Sequence, residues 1–149
     1  MPAVIRPALS DEAASLTVTY EWLFTPPGSR PRTWDSARAT AALEEAIGSD
    51  ASEVLVAEAA GEVVGLCTVY LDIRSVRFGD RAWVEDLSVG PAYRSQGMGK
   101  ALLDAAKDWA RVRGATHLEL QSGIARTDAH RFYEREKPST RSLSFGWGL

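Results

Sequence analysis

A short segment of the chain carries the residue types that bind a phosphate group. It reads Arg94-Ser95-Gln96-Gly97-Met98-Gly99-Lys100. Glycines let the backbone come close to a ligand, and the unpaired amides in the first turn of a new helix favour an anion. Arg94 and Lys100 add positive charge beside these amides. The segment therefore predicts a pyrophosphate-binding loop at the start of a helix.

Two well-known phosphate-binding motifs do not fit this segment. A dinucleotide-binding fingerprint needs a third glycine three positions after Gly99, where the chain has Leu102. A Walker A loop ending at Gly99-Lys100 needs glycine at position 94 and Ser or Thr at position 101, where the chain has Arg94 and Ala101. On these residues alone, a glycine-rich helix start without a ligand stays open as the alternative.

The hydrophobic pattern predicts the elements that position this loop. Strands are predicted over residues 3–7, 53–59, 63–73, 81–89 and 117–121, and helices over 10–24, 35–48, from 98 to 114, and from a capping pair at Thr127-Asp128. A helix joins the strands 81–89 and 117–121, so we expect these two strands to be parallel. Residues 25–33 hold three of the seven prolines and are predicted as a loop, while the alternation in residues 139–145 predicts a closing strand.

The predicted last helix supplies a second informative segment. It reads Asp128-Ala129-His130-Arg131-Phe132-Tyr133-Glu134. Ala129, Phe132 and Tyr133 share one helix face. Together with the [Gln/Arg]-x-x-Gly-x-[Gly/Ala] pattern of the phosphate loop, this segment resembles the GCN5-related N-acetyltransferases, whose second segment usually reads Asn-x-x-Ala-x-x-Phe-Tyr. The resemblance covers essentially the whole chain.

The resemblance implies a fold and an activity. The fold is α/β (α+β), one domain over residues 1–149, with a mixed, mostly antiparallel, twisted sheet of six to seven strands and about four helices, splayed between the fourth and fifth strands. The activity is acetyl transfer from acetyl-CoA to a primary amine of a small molecule or a protein, by direct attack in a ternary complex. Relatives often form homodimers. A non-catalytic acyl-CoA-binding module that senses or presents the cofactor is the alternative.

The resemblance also implies which residues bind acetyl-CoA. They are Leu87, Val89, Arg94, Ser95, Gln96, Gly97, Met98, Gly99, Lys100 and Asp128. The backbone amides of Leu87 and Val89 are expected to pair with the acyl-pantetheine arm and polarise the thioester carbonyl. Asp128 is the nearest candidate for the usual asparagine of the last helix, but an ionised carboxylate accepts hydrogen bonds and cannot donate one. The usual Gly-Phe after this helix is replaced by Glu136-Lys137-Pro138.

Acetyl transfer to an amine needs a base and an acid. An alkyl ammonium has a pKa of about 10.4, so a carboxylate or a water that it activates would assist its deprotonation. Glu85 stands where several relatives carry such a base, and Tyr133 matches a tyrosine expected to protonate the leaving thiolate. Asp86 is expected on the opposite strand face. Similar paired acids occur in diamine acetyltransferases of this family, so the resemblance suggests a polyamine-like acceptor. The alternative is that both acids meet solvent, cap a turn or pair with Arg81 and Arg94.

Composition limits the remaining classes of protein. The chain has 149 residues, 45% of them apolar and 25% charged, which is typical of one globular domain. Its net charge of −3 argues against nucleic-acid binding, and no apolar run reaches the roughly 20 residues of a membrane helix. Cys67 is the only cysteine and is predicted to be buried. We therefore expect a cytoplasmic protein without a leader peptide, a membrane partner or a metal.

Overall fold

The computed structural model describes residues 3–149, so Met1 and Pro2 of the predicted domain lie outside the described residues. Its centre is one five-stranded sheet. The strands lie in chain order and are β1 (Val4–Pro7), β2 (Ser52–Ala59), β3 (Glu62–Leu71), β4 (Arg81–Val89) and β5 (His117–Leu120). The first three pairings are antiparallel and the β4–β5 pairing is parallel. The predictions of a mixed, mostly antiparallel sheet and of parallel strands flanking a crossover helix are thus confirmed.

Five α-helices within residues 3–149 surround the sheet. They are α1 (Ala13–Thr19), α2 (Glu21–Phe24), α3 (Ser36–Gly48), α4 (Met98–Val112) and α5 (Thr127–Arg135). The predicted helix over 10–24 is divided into a 3₁₀ turn at Ser10–Glu12, α1 and the single turn α2. Three consecutive β-branched residues, 17–19, precede the division and weaken the helix there. None of the helices within residues 3–149 is both long and apolar enough to cross a bilayer.

The predicted number of six to seven strands is wrong, because the structure has five. Residues 139–145, predicted as a closing strand, form no regular structure. Leu143 and Phe145 alternate with polar residues, as in a strand. No apolar surface of the described chain covers them, and they are 76% and 74% exposed. The neighbouring β5 has only four residues, and the tail meets its end through Ser144 Oγ and Gln121 Oε1 at 2.6 Å.

Each face of the sheet is covered by helices. On one face α4 buries Leu102, Ala106 and Trp109 against a cluster that includes Cys67. The core positions predicted for Trp109 and Cys67 are confirmed, and burial raises the pKa of the Cys67 thiol to about 12. On the other face α1 and α3 bury an equivalent cluster around Leu16. Fully burying one such leucine contributes roughly 1.5–3 kcal/mol to the free energy of unfolding. The two helix layers therefore hold β3 and β4 in a fixed position.

An ion-pair network attaches the first helical turn to the edge of the sheet. Arg6 on β1 donates to both carboxylate oxygens of Glu12, at 2.8 and 2.9 Å, and to Glu58 of β2 at 2.6 Å. Glu12 also accepts the amide of Leu9 at 2.7 Å. The hydrogen bonds from Arg6 are the main reason that the pKa of Glu12 falls to about 2.

We expect Glu12→Gln to lower the free energy of unfolding by about 1–2 kcal/mol at pH 7, because it removes a charge-assisted pair. A lowered pKa means that the pair stabilises the fold above the ordinary value of 4.5 and is lost as the pH falls through about 2. Urea unfolding from pH 7 to pH 2 should show the difference shrinking over that range. Glu62→Gln, at the exposed start of β3, is the control; an equal loss there would contradict the explanation.

Candidate active site

A β-bulge in β4 organises the centre of the candidate site. Val84 pairs with Val69 of β3, and Asp86 pairs with Thr68, the residue directly before Val69, so that Glu85 between them has no partner across the ladder. Glu85 is therefore an extra residue in β4. Such a bulge shifts the alternation of the strand by one position and redirects the side chains that follow it.

The bulge also determines which backbone amides of β4 are free. After it, the amides of Asp86 and Gly90 point toward β3, the latter donating to Val64 O at 2.8 Å. Because amides alternate along a strand, those of Leu87 and Val89 point toward the opposite edge, where β5 would continue. The structure thus directs the two amides named in the sequence analysis away from β3.

The sheet opens on that same edge. β5 pairs with β4 over residues 81–84 only, and then ends at Leu120. Beyond this point a cleft of about 160 Å³ separates the second half of β4 from the chain after β5 and from α5. Its lining includes Leu23, Glu85, Asp86, Leu87, Gln121, Ser122, Arg126, Ala129 and Tyr133. Ser122 Oγ is buried there without a hydrogen-bond partner among residues 3–149.

Glu85 and Asp86 lie on the same face of the sheet, and the prediction that they lie on opposite faces is wrong. Tyr70 O–H lies 3.5 Å from the Glu85 carboxylate and Thr68 Oγ1 lies 3.3 Å from that of Asp86. Tyr70 and Thr68 are two residues apart on β3 and so share a face. The bulge is the physical reason, because it turns both acids toward the side covered by α1 and α2.

The two acids differ in their surroundings. Asp86 is largely enclosed and accepts a hydrogen bond from Tyr20 O–H at 2.7 Å. Burial raises its pKa, as does the nearby charge of Glu85. Burial and the Asp86 carboxylate likewise raise the pKa of Tyr20 well above its usual range, so this hydroxyl is a permanent donor. Glu85 is exposed and accepts from Trp83 Nε1 at 2.9 Å.

Neither acid has an ion-pair partner within residues 3–149. Arg81, considered as a partner from sequence, instead pairs with Asp72 and Glu119 on neighbouring elements. Arg94 donates to the carbonyl of Val89 at 3.2 Å. In the same part of the chain, no three His, Cys, Asp or Glu side chains are grouped so as to hold a metal ion. Glu85 and Asp86 are therefore free to face a cationic ligand.

Tyr133 of α5 forms another wall of the cleft. Burial raises the pKa of its hydroxyl to about 12, so it is protonated at neutral pH. The hydroxyl makes no hydrogen bond to the described part of the chain, and its side chain lines the cleft. The neighbouring Phe132 packs on Gly99, where an added Cβ would lie 3.6 Å from the ring. This contact sets α5 against the start of α4.

The predicted phosphate loop has the backbone of an anion site. A 3₁₀ turn at Pro91–Tyr93 leads into it, Ser95 adopts φ of 61°, and Gly97 adopts φ of 85° directly before α4. No side chain caps α4, so its first amides are unpaired and face outward. A Cβ built on Gly97 would meet nothing within 4 Å, which shows that protein packing does not fill this position.

The side chains of the loop are arranged around these amides. Gln96 Nε2 donates to the Ala92 carbonyl at 3.2 Å, which closes the loop on the preceding turn. Lys100 pairs with Asp104 at 2.8 Å and with Glu136 at 3.2 Å. Met98 is buried in the core and anchors the first turn of α4. Arg94, by contrast, is exposed and has no ion-pair partner within residues 3–149. The loop therefore offers an anion both unpaired backbone amides and one free cationic side chain.

The structure does not bring Asp128 to the cleft. Its side chain is 92% exposed and pairs with Arg131 one turn along α5. The predicted capping by Thr127-Asp128 is also wrong, because the N-cap residue is Arg126 and no side chain caps the helix. Arg126 lines the cleft and was missed from sequence. The signal was present, because counting back three positions from Ala129 in the Asn-x-x-Ala pattern reaches position 126.

Comparison with known proteins gives consistent matches. A family model described as the acetyltransferase (GNAT) family matches residues 16–136. Aminoalkylphosphonate N-acetyltransferase of Salmonella typhimurium is 40% identical over 76 residues, which is 51% of this chain and 49% of that protein. Streptothricin acetyltransferase of Streptomyces lavendulae is 36% identical over 87 residues, 58% of this chain and 44% of that protein. The chain thus spans about half the length of these curated relatives.

A solved structure supports the fold over the whole chain. The aminoglycoside N-acetyltransferase AAC(6')-Iy, in complex with CoA, superposes with a TM-score of 0.83 and covers 98% of this chain and 94% of that one. The two are 17% identical in sequence. At this identity the likeness establishes the fold alone.

A stability measurement tests the account of Asp86. We expect Asp86→Asn to raise the free energy of unfolding at pH 7 by up to about 1 kcal/mol, because it removes an unpaired enclosed charge but keeps an acceptor for Tyr20. Since folding raises the pKa of this acid, the wild type gains stability as the pH falls toward the ordinary value of 3.8, and the difference should close. Glu62→Gln, at the exposed start of β3, is the control. A variant less stable than the wild type at pH 7 would contradict this account.

Proposed function

The chain belongs to the acetyltransferase (GNAT) family, and from this premise we propose that it transfers an acetyl group from acetyl-CoA to a primary amine. The observation that carries the proposal is the cleft beyond the end of β5, where the free amide of Leu87, two acids without ion-pair partners and a protonated tyrosine converge. The acyl-CoA-binding module considered from sequence is not favoured, because the relatives are named acetyltransferases.

Two features support a site for acetyl-CoA. The left-handed Gly97 and the uncapped amides of α4 form a cradle for its pyrophosphate. The outward amides of Leu87 and Val89 continue from there along β4 and suit the amide groups of the pantetheine arm. Ser122 Oγ, buried without a partner in residues 3–149, supplies a further polar contact in the cleft. A related fold solved with CoA is consistent with this placement.

The proposed reaction is direct attack in a ternary complex. The ammonium of the acceptor first loses a proton to Glu85 or to a water that Glu85 activates, and the free nitrogen then forms a bond to the thioester carbonyl carbon. The amide of Leu87, which lines the cleft, stabilises the resulting oxyanion, and such a donor contributes roughly 2.7–4 kcal/mol to lowering the barrier. The amide of Val89 pairs with the pantetheine arm. The nitrogen, which became cationic on attack, loses its second proton through Glu85 to solvent. The carbon–sulfur bond breaks, and the thiolate takes its proton from Tyr133, which is re-protonated from solvent.

The acceptor side is formed by the acids. Glu85 is exposed and near Trp83 and Tyr70, so it can exchange a proton with solvent. Asp86 is more enclosed and held by Tyr20, which suits it to orienting a cationic amine rather than to repeated proton transfer. The named acceptors of two relatives, an aminoalkylphosphonate and streptothricin, support a small molecule as the acceptor class here.

The proposal is tested with purified protein, acetyl-CoA and a mixed library of small amines. Thiol release should depend on the amine, and mass spectrometry should find a product heavier by one acetyl group. Isothermal titration should also detect binding of CoA alone. Absence of CoA binding would overturn the cofactor assignment, and CoA binding without any amine-dependent thiol release would favour the non-catalytic module.

Tyr133→Phe should reduce kcat by roughly 100-fold or more while leaving the KM for acetyl-CoA within about twofold, since it removes a proton donor but keeps the ring. Steady-state kinetics at saturating amine measure both constants. Tyr93→Phe, which removes a hydroxyl from the turn before the phosphate loop, is the matched control. If Tyr133→Phe and Tyr93→Phe retain equal kcat, Tyr133 is not the acid.

Gly97→Ala should weaken CoA binding by about tenfold or more, because a methyl group would enter the space through which the pyrophosphate reaches the amides. Gly61→Ala controls for backbone strain: Gly61 has φ of 79°, similar to the 85° of Gly97, and lies in the β2–β3 turn. Isothermal titration should separate the two variants, which are expected to lose similar stability. Equal CoA affinity in both would remove Gly97 from the site.

A further inference from the structure

Arg126 is a charged side chain of the cleft that the proposed transfer steps do not use. It is half-buried at the N-cap of α5 and lines the cleft beside Tyr133. Its Nη2 donates to the backbone carbonyl of Leu23 at 2.9 Å, which leaves Nε and Nη1 without an acceptor among residues 3–149. No carboxylate of that same range lies within ion-pair distance of it. A half-buried guanidinium therefore points at the cleft with its charge uncompensated.

The cleft holds unpaired charge of both signs. Glu85 and Asp86 line it from β4, while Arg126 lines it from α5. Partial burial of an unpaired charge costs stability, so such groups are paired in most folded proteins. The arrangement is complementary to a ligand that carries a positive group toward β4 and a negative group toward α5.

We propose that the acceptor is a zwitterion, namely a small amine that also carries a carboxylate or a phosphonate, and that Arg126 is the residue that selects it. This inference rests on the proposed function of the cleft. The amine faces Glu85 and Asp86, and the anionic group pairs with Arg126. A guanidinium presents its donors in a planar fork that matches the oxygens of either anion.

This assignment replaces the polyamine-like acceptor implied by the sequence resemblance. A second ammonium group would meet the positive charge of Arg126, and the resulting repulsion would weaken its binding. The backbone around the guanidinium also fits it closely. A Cβ added at Gly28 would lie 2.6 Å from Arg126 Nη2 and 1.9 Å from the Leu23 carbonyl. Because residue 28 is a glycine, the loop 25–33 leaves room for the contact between Arg126 and Leu23.

Four acceptors of similar length test the proposal: 2-aminoethylphosphonate, β-alanine, ethanolamine and 1,2-diaminoethane. The wild type should show a kcat/KM at least tenfold higher for the better of the two anionic acceptors than for either of the others. Comparing the phosphonate with β-alanine identifies which anion the site prefers. The KM for acetyl-CoA is measured in parallel for every variant.

Arg126→Gln removes the charge and the planar fork of donors but keeps a polar side chain at the N-cap of α5. It should lower kcat/KM for the preferred anionic acceptor by about ten- to 100-fold, the range expected for losing a charged hydrogen bond, and leave that for ethanolamine within about twofold. Arg126→Lys should recover part of the loss. Arg131→Gln, which removes an exposed arginine from the same helix, should change none of these values.

Several outcomes would overturn the inference while leaving the proposed function in place. These are equal turnover of ethanolamine or 1,2-diaminoethane by the wild type, an equal loss for all acceptors in Arg126→Gln, and an effect confined to the KM for acetyl-CoA. If none of these four acceptors is turned over, the amine library decides whether the proposed activity stands, and isothermal titration of 2-aminoethylphosphonate and β-alanine into the CoA-saturated protein decides the inference. Binding that Arg126→Gln abolishes supports it, and no binding of either compound overturns it.

Discussion

The arrangement of the site depends on one inserted residue in β4. Without the bulge at Glu85, the alternation of the strand would continue and Asp86 would face the core side covered by α4. The bulge instead places both acids on the side of α1 and α2, and turns the amides of Leu87 and Val89 to the edge where β5 has ended. Acid placement and backbone donors are thus two consequences of a single change in register.

The site retains charges that folding alone would not favour. Burial raises the pKa of Asp86, and its charge is compensated only by neutral hydrogen bonds from Tyr20 and Thr68. The ion pairs elsewhere in the fold, such as Arg6 with Glu12, have partners of opposite sign at hydrogen-bond distance. The contrast supports the proposal that the unpaired charges of the cleft serve a ligand rather than the stability of the fold.

The sequence predicted those parts of the structure that depend on which residue type stands at which position. The glycine spacing at Gly97 and Gly99, the core position of Trp109 and the parallel β4–β5 pair all have such a signal. The bulge at Glu85 has no such signal in the sequence. Glu85 and Asp86 are both acidic, so their side-chain types do not indicate which of them faces which side of the sheet. Residues 139–145 alternate between apolar and polar types, but no part of the described fold packs on their apolar side chains. The alternation alone therefore predicted a strand that does not form.

The segment that closes the acceptor side comes from the other end of the chain. Tyr20 holds Asp86, Trp22 packs within 3.3 Å of the Cβ position of Gly90, and Leu23 accepts from Arg126. These contacts lie outside the phosphate loop. If the proposed acceptor site is right, changes in residues 20–23 are expected to alter acceptor choice while the loop keeps its geometry.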